Sequence, residues 1–175
     1  LADFEQRRDW QGMAQFAAEN LAKDKSNADW WTIAGYAHAQ LGEHRRAIEC
    51  FQEAVRLAPE QDTGWNMLAQ TYRAAGQLER AVSTLGNAVQ VARESPMTFF
   101  LLGESYSDLR RFQPAVAAYQ QALRGSNGFA EAWFGMGRAY VYLGRAADAA
   151  EVQRVLEQLD PRLASELAGL RSRPR

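Results

Sequence analysis

Residues 28–42 read ADWWTIAGYAHAQLG and residues 62–76 read DTGWNMLAQTYRAAG. Laid over one another at an offset of 34 residues, they match Trp31 to Trp65, Gly35 to Ala69, His38 to Tyr72 and Gly42 to Gly76. The same offset brings in PMTFFLLGESYSDLR at 96–110 and AEAWFGMGRAYVYLG at 130–144, so that Trp31, Trp65, Phe99 and Trp133 form one column. Ala47, Ala81, Ala115 and Ala149 form another, without a single insertion. A fixed period of this length marks a chain built from stacked supersecondary units.

Each block reads as two amphipathic helices of about 12 to 14 residues with a tight turn between them. In the second block Trp65, Leu68, Ala69 and Tyr72 share one face of the first helix, and Ala81, Leu85, Ala88 and Val89 share one face of the second. The column Gly35, Ala69, Gly103, Gly137 keeps a small residue inside the first helix, which implies close helix approach there. The column Gly42, Gly76, Arg110, Gly144 fits a helix stop in which glycine takes a positive φ. Pro59 and Pro161 close blocks one and four, Pro96 opens block three behind a Ser95 cap, and Gly125 to Gly128 separates blocks three and four. Pro114 is tolerated at the start of a second helix. No segment alternates with period two, so no sheet is expected.

These columns resemble the tetratricopeptide repeat. Block one carries the resemblance through Trp31, Ala34, Gly35, Gly42, Ala47, Phe51, Ala54 and Pro59, and block two through Trp65, Leu68, Tyr72, Gly76, Ala81 and Ala88. Block four repeats it with Trp133, Met136, Gly137, Tyr140, Gly144, Ala149 and Pro161; block three keeps Phe99, Leu102, Gly103, Tyr106, Ala115, Tyr119 and Ala122 but has Arg110 at the turn and Asn127 in place of the terminal proline. The resemblance implies an all-α, right-handed superhelical solenoid of antiparallel helix pairs. Its repeats are expected at 28–61, 62–95, 96–129 and 130–163. Extending the register backwards puts Phe4 in the tyrosine column and Met13 in the alanine column, so residues 1–27 are expected to be a partial repeat and the chain a fragment of a longer array. A capping helix is expected at 161–170, with Leu163, Leu167 and Leu170 on one face behind an Asp160 cap, and a disordered tail at 171–175.

Composition narrows the function. The 175 residues are 47% hydrophobic and 23% charged, which suits a packed globular chain, and a net charge of −1 offers no broad positive field for nucleic acid or anionic lipid. No apolar run is long enough for membrane insertion. The single cysteine, Cys50, with His38 and His44, gives no metal-ligand spacing and does not fix a redox compartment. Both histidines fall in aromatic columns and read as structural, and Cys50 as a packing residue; no phosphate loop is present. The expectation is therefore a non-catalytic protein with no cofactor.

In this family the concave groove is lined by first-helix positions that the core columns leave free. Here those are Thr32, Tyr36 and Gln40; Asn66, Gln70 and Arg73; Phe100, Glu104 and Asp108; and Phe134, Arg138 and Tyr142. Phe100, Phe134 and Tyr142 are expected as solvent-facing anchors for a peptide or partner helix. Glu104 and Asp108 are like charges at i, i+4, expected to be relieved by Arg138 or Arg73 on adjacent first helices rather than by a ligand. Only Lys23 and Lys25 are lysines, both ahead of block one, so the lysine clamp that chaperone-binding members place on a C-terminal carboxylate is not expected. The implied function is a protein-interaction scaffold with a protein or peptide partner in the groove, or self-association. The other 18 of the 20 basic residues are arginines, which points to a bacterial source and, through the resemblance, to an assembly, secretion or envelope-biogenesis complex. The alternatives are an accessory region of a larger enzyme and, ranked last, an RNA-binding helical repeat.

Trp30 stands where the other blocks have Gly64, Thr98 and Ala132, and is expected to fill space near Ala17 and Leu21, while Trp31 packs between the helices of its own hairpin.

Overall fold

The computed structural model of the chain describes residues 1–91 and 95–172. The chain divides into two compact units, Leu1–Arg93 and Glu94–Arg175. The first holds α1 (Ala2–Arg7), α2 (Trp10–Leu21), α3 (Ala28–Gln40), α4 (His44–Leu57), α5 (Asp62–Ala74) and α6 (Leu78–Val91). The second holds α7 (Pro96–Asp108), α8 (Phe112–Gly125), α9 (Ala130–Leu143), α10 (Ala146–Leu159) and α11 (Pro161–Arg171). Among the described residues there is no strand.

Within each unit, consecutive helices pack side by side: α2 on α3, α3 on α4, α4 on α5 and α5 on α6 in the first, α7 on α8, α8 on α9, α9 on α10 and α10 on α11 in the second. First helices also touch across a hairpin, α3 with α5 and α7 with α9. The alanine column is the centre of this packing, since Ala47, Ala81, Ala115 and Ala149 are all fully buried. The side chains beside it are large: Phe51, Leu85 and Tyr119 are fully buried at equivalent positions of α4, α6 and α8. Each such burial stabilises the unit by about 1.5–3 kcal/mol.

The turns have one geometry. Gly42, Gly76 and Gly144 take φ of 75°, 72° and 75°, and Arg8 and Arg110 take 54° and 57° in the same register. In each, the N–H one residue further on returns to the carbonyl of the tyrosine-column residue, as in Gln77 to Tyr72 at 2.8 Å and Arg111 to Tyr106 at 2.8 Å. This is the Schellman closure, which satisfies a carbonyl that the helix end would orphan.

Linkers between hairpins are fixed by the tryptophan column. The indole N–H of Trp31 donates to Lys25 O at 2.9 Å, that of Trp65 to Pro59 O at 2.8 Å and that of Trp133 to Asn127 O at 2.7 Å, always six residues back. Trp31 is half-buried and packs, together with Trp30, on one cluster of Ala17, Leu21 and Ala34. The two tryptophans thus pack on one cluster, to which Ala34 and Cys50 of Trp31's own hairpin also belong. Trp30 adds an edge-to-face contact with Phe16 at 5.5 Å.

Helix α11 starts at Pro161, with Asp160 accepting from the N–H groups of Arg162 and Leu163. It lays Ala164 and Leu167 onto α9 and α10, and a Cβ on Gly137 would come within 2.6 Å of Leu167. Arg171, expected in the tail, closes this helix and bonds Gln153. Residues 173–175 of the tail lie outside the described residues.

Candidate functional site

In the first unit, the first-helix face carries an apolar cleft of about 160 Å³, lined by Leu1, Met13, Ile33, Tyr36 and Met67 with Thr32, Thr63 and Glu5 at its edge. Tyr36 is half-buried because its ring meets Trp10 edge-on at 5.7 Å. The Thr32 hydroxyl is satisfied internally by Ala28 O at 3.0 Å, leaving its methyl for the cleft. Gln40 and Gln70 are exposed, as a partner-facing position requires. Asn66 is only 6% exposed and presents almost no surface, a departure from its expected place in the groove. Arg73 is half-buried, and both it and Asn66 have partners of their own.

In the second unit the expected anchors divide. Phe100 and Phe134 are half-buried rather than solvent-facing. Phe100 packs on Phe129 at 4.8 Å and on Tyr119 at 6.1 Å, and both phenylalanines join the unit's core cluster. A phenyl ring at this register is long enough to reach the residue before the next helix, so it is drawn into the seam between hairpins. Tyr142 is 55% exposed and does face outward, its ring stacked on Phe112 at 4.6 Å and 15°.

Glu104 and Arg138 form the expected ion pair at 3.1 Å. Its depth comes from Tyr119, whose ring passes between α7 and α9 where a Cβ on Gly103 or on Gly135 would stand 2.6 Å away. The Tyr119 hydroxyl donates to Glu104 Oε1 at 2.5 Å and lies 3.2 Å from Ser107 Oγ. Burial pushes the Tyr119 hydroxyl above its ordinary range, and the Glu104 carboxylate adds to the rise. Burial disfavours charge on Arg138, but Glu104 and Tyr119 outweigh it and hold the guanidinium above its ordinary value. The guanidinium also lies 5.8 Å from the centre of the Phe134 ring. Beside this network, Ser107, Asp108, Arg110, Phe112, Arg138, Ala139 and Tyr142 line a polar pocket of about 210 Å³.

Sequence reasoning placed Thr32, Tyr36, Asp108, Arg138 and Tyr142 at these two sites, and missed Met13, Ile33, Thr63, Met67, Ser107, Arg110, Phe112 and Tyr119. For Tyr119 a signal existed: among Phe51, Leu85, Tyr119 and Gln153 it is the aromatic with a hydroxyl, which in a buried column needs a polar neighbour. His38 Nδ1 lies 2.7 Å from Glu43 Oε2 beside a turn, and this hydrogen bond, with help from Arg46, holds the Glu43 carboxyl below its ordinary value against its desolvation. Burial, with Glu49 adding to it, pushes the Cys50 thiol up to about 11. Among the described residues no group of three or more His, Cys, Asp or Glu side chains could hold a metal ion, and no helix is long and apolar enough to cross a membrane.

Antiparallel hairpins of constant length, closed by left-handed turns and stacked through small residues, define a helical-repeat protein of the solenoid class. The chain belongs to the tetratricopeptide repeat family, whose sequence profile matches residues 13–62, 34–96 and 100–164. Comparison with curated proteins gave no match. Among solved structures, MamA is similar at a TM-score of 0.81 and 19% identity over 93% of this chain and 95% of that one. YrrB, described as a TPR protein with an unusual peptide-binding site, is similar at 0.76 and 20% identity over 95% and 87%. TTC0263, a thermophilic TPR protein of Thermus thermophilus, is similar at 0.71 and 21% identity over 97% and 94%. At these identities the likeness is one of fold, and the fold is that of a protein–protein interaction scaffold.

Proposed function

We propose that the protein is a non-catalytic scaffold that holds a peptide or a partner helix on its first-helix faces. The observation that carries this reading is the apolar cleft of the first unit. Leu1, Met13, Ile33, Tyr36 and Met67 leave a 160 Å³ recess open on a helix face, with Thr32 and Thr63 as polar edges. Apolar side chains at i, i+4 spacing on a ligand helix would fill such a recess, and the rim threonines would fix its register. The similarity to YrrB, a protein with a peptide-binding site, supports the same reading. Self-association would use this surface too, and a place in a bacterial assembly, secretion or envelope complex rests on arginine-rich composition and on resemblance.

Thr63 lines the cleft and is exposed, so Thr63→Arg blocks the recess without disturbing the core. Affinity capture from source cells with wild type and Thr63→Arg should yield a partner that the variant loses while its melting temperature is unchanged. Capture of the same proteins by both would reject the cleft as the binding surface. Sedimentation of the purified chain separates self-association from hetero-association.

A further inference from the structure

We propose that Asn127 is a site of spontaneous covalent modification: its side-chain amide is lost by ring closure onto the Gly128 nitrogen, which converts the linker ahead of α9 to aspartate and isoaspartate. The reaction involves no partner and is independent of what the first-helix faces bind.

Ring closure asks for an asparagine side chain free to move, a following nitrogen without a hydrogen bond, and no Cβ on the following residue to crowd the attack. The chain has five asparagines and one Asn-Gly pair, Asn127 with Gly128. Both residues are exposed and form the middle of a turn in which the Phe129 N–H returns to Ser126 O at 3.2 Å. Among the described residues neither the Asn127 amide nor the Gly128 N–H makes a hydrogen bond.

The other asparagines are each held. Asn20 donates to Phe16 O at 2.8 Å, and Asn27 accepts from the Asp29 N–H at 2.9 Å. Asn66 is buried in α5 with a partner of its own. Asn87 lies inside α6, where the helix occupies the next N–H.

The repeat explains why such a pair is tolerated here. The tryptophan column binds the carbonyl six residues back, and any residue supplies a carbonyl, so the position holds Lys25, Pro59 and Asn127. Nothing in that tie restrains the Asn127 side chain.

The chemistry needs water and a solvent base alone. The base takes the Gly128 N–H proton, the nitrogen attacks Asn127 Cγ, and the Cγ–Nδ2 bond breaks; the side-chain nitrogen leaves as ammonia with a proton returned from solvent. The product is a five-membered cyclic imide. Water then opens it at either carbonyl. Cleavage of the new Cγ–N bond gives aspartate, and cleavage of the original backbone C–N bond gives isoaspartate. Ammonia lost and water gained add about 1 Da, with no oxidant or reductant.

In isoaspartate the chain runs through the side chain and is longer by one methylene, while the carbonyl that Trp133 bound becomes a free carboxylate. Either product puts a new negative charge on the cleft that Asn127 shares with Trp133, Glu151, Arg154, Val155 and Leu159. The modification therefore acts on the tie between the α8 linker and α9.

Mass spectrometric peptide mapping of the purified full chain, held in warm, mildly alkaline buffer, reads the reaction. The segment with Asn127 should gain about 1 Da, or about 3 Da in oxygen-18 water, at a rate comparable with that of a free peptide of residues 124–131. Segments with Asn20, Asn27, Asn66 and Asn87 should stay unchanged. Gly128→Ala tests the geometry. The φ of Gly128 is not positive and an added Cβ meets nothing within 4 Å, so the variant should keep its melting temperature while the methyl slows ring closure by about tenfold.

No mass gain at Asn127 in the folded chain while the free peptide converts would overturn the proposal, as would a Gly128→Ala variant that reacts as fast as wild type. In the isoaspartate species the indole N–H resonance of Trp133 should move. An unmoved resonance would reject the effect on the tie.

Discussion

Tyr119 occupies the space that a side chain on Gly103 would need: a Cβ built there would stand 2.6 Å from Tyr119 Cε1. The small-residue column and the large residue of the second helix are thus two halves of one contact. Gly103→Ala must push back a fully buried ring, and should destabilise the second unit by about 1–3 kcal/mol even after the helix-propensity gain. Gly86 has the opposite surroundings, with nothing within 4 Å of the added Cβ in the interior of α6. Gly86→Ala should stabilise by about 0.5–1 kcal/mol. Urea unfolding of the two variants checks the pair, and a shared sign would refute the contact.

The tryptophan column ties linkers by an N–H that phenylalanine lacks. Trp133→Phe keeps an aromatic ring and removes the bond to Asn127 O, at an expected loss of about 0.5–1.5 kcal/mol. Amide exchange should quicken in the linker ahead of α9, with α10 unchanged. Equal protection in both proteins would make the bond incidental.

The repeat itself was legible because its columns answer to steric demands that recur in every hairpin. Ala47 and its equivalents had to be small and buried, and Gly42 and its equivalents had to turn left-handed. Sidedness was legible less well. Phe100 and Phe134 lie on positions that the core columns leave free, yet their rings are long enough to be drawn into the seam, and Phe129, the partner of Phe100, lies in a linker outside the helical periodicity. Asn66 shares their column and is buried too. Periodicity states which way a Cβ points; how far the side chain then reaches depends on neighbours contributed by other elements. The Glu104–Arg138 pair was read correctly because both charges fall in one column of adjacent repeats, while Tyr119 arrives from a second helix and is marked only by a hydroxyl in a buried column.

The Tyr119 hydroxyl makes stability alkaline-sensitive. Burial first, and then Glu104, raise it above the ordinary value of 10.0, so between the ordinary and the raised value the folded protein holds a proton that the unfolded chain releases. This contribution is intact below pH 10.0 and is lost as pH rises above it. Tyr119→Phe should be less stable near neutral pH by about 1 kcal/mol through the lost hydrogen bond, but should lose less of its remaining stability above about pH 10. Urea midpoints from about pH 8 to 11 test this, and parallel curves for the two proteins would contradict it.

Cys50 should be a slow thiol. With burial holding its pKa at about 11 instead of 9.0, the native thiolate fraction at about pH 8 falls by about 100-fold, and access is reduced as well. Alkylation by iodoacetamide should be correspondingly slower in buffer than in urea, and should follow unfolding. A native rate close to that of the unfolded chain would show that the packing around Cys50 opens readily.

Trp30 tests the seam in which two adjacent tryptophans meet. It packs with Trp31 on Ala17, Leu21 and Ala34, and meets Phe16 at 5.5 Å and 78°. Trp30→Ala removes a large share of the surface holding α2 against α3, at an expected cost of about 2 kcal/mol, below that of a fully buried indole because Trp30 is not fully buried. The cost should fall on one place. Amides of α2 should exchange faster, while those of α5 and α6 keep their protection, because Gly64, at the position equivalent to Trp30, packs instead on Val55 and Ala54. Unchanged exchange in α2 would mean that Trp31, tied to Lys25 O, holds the seam by itself.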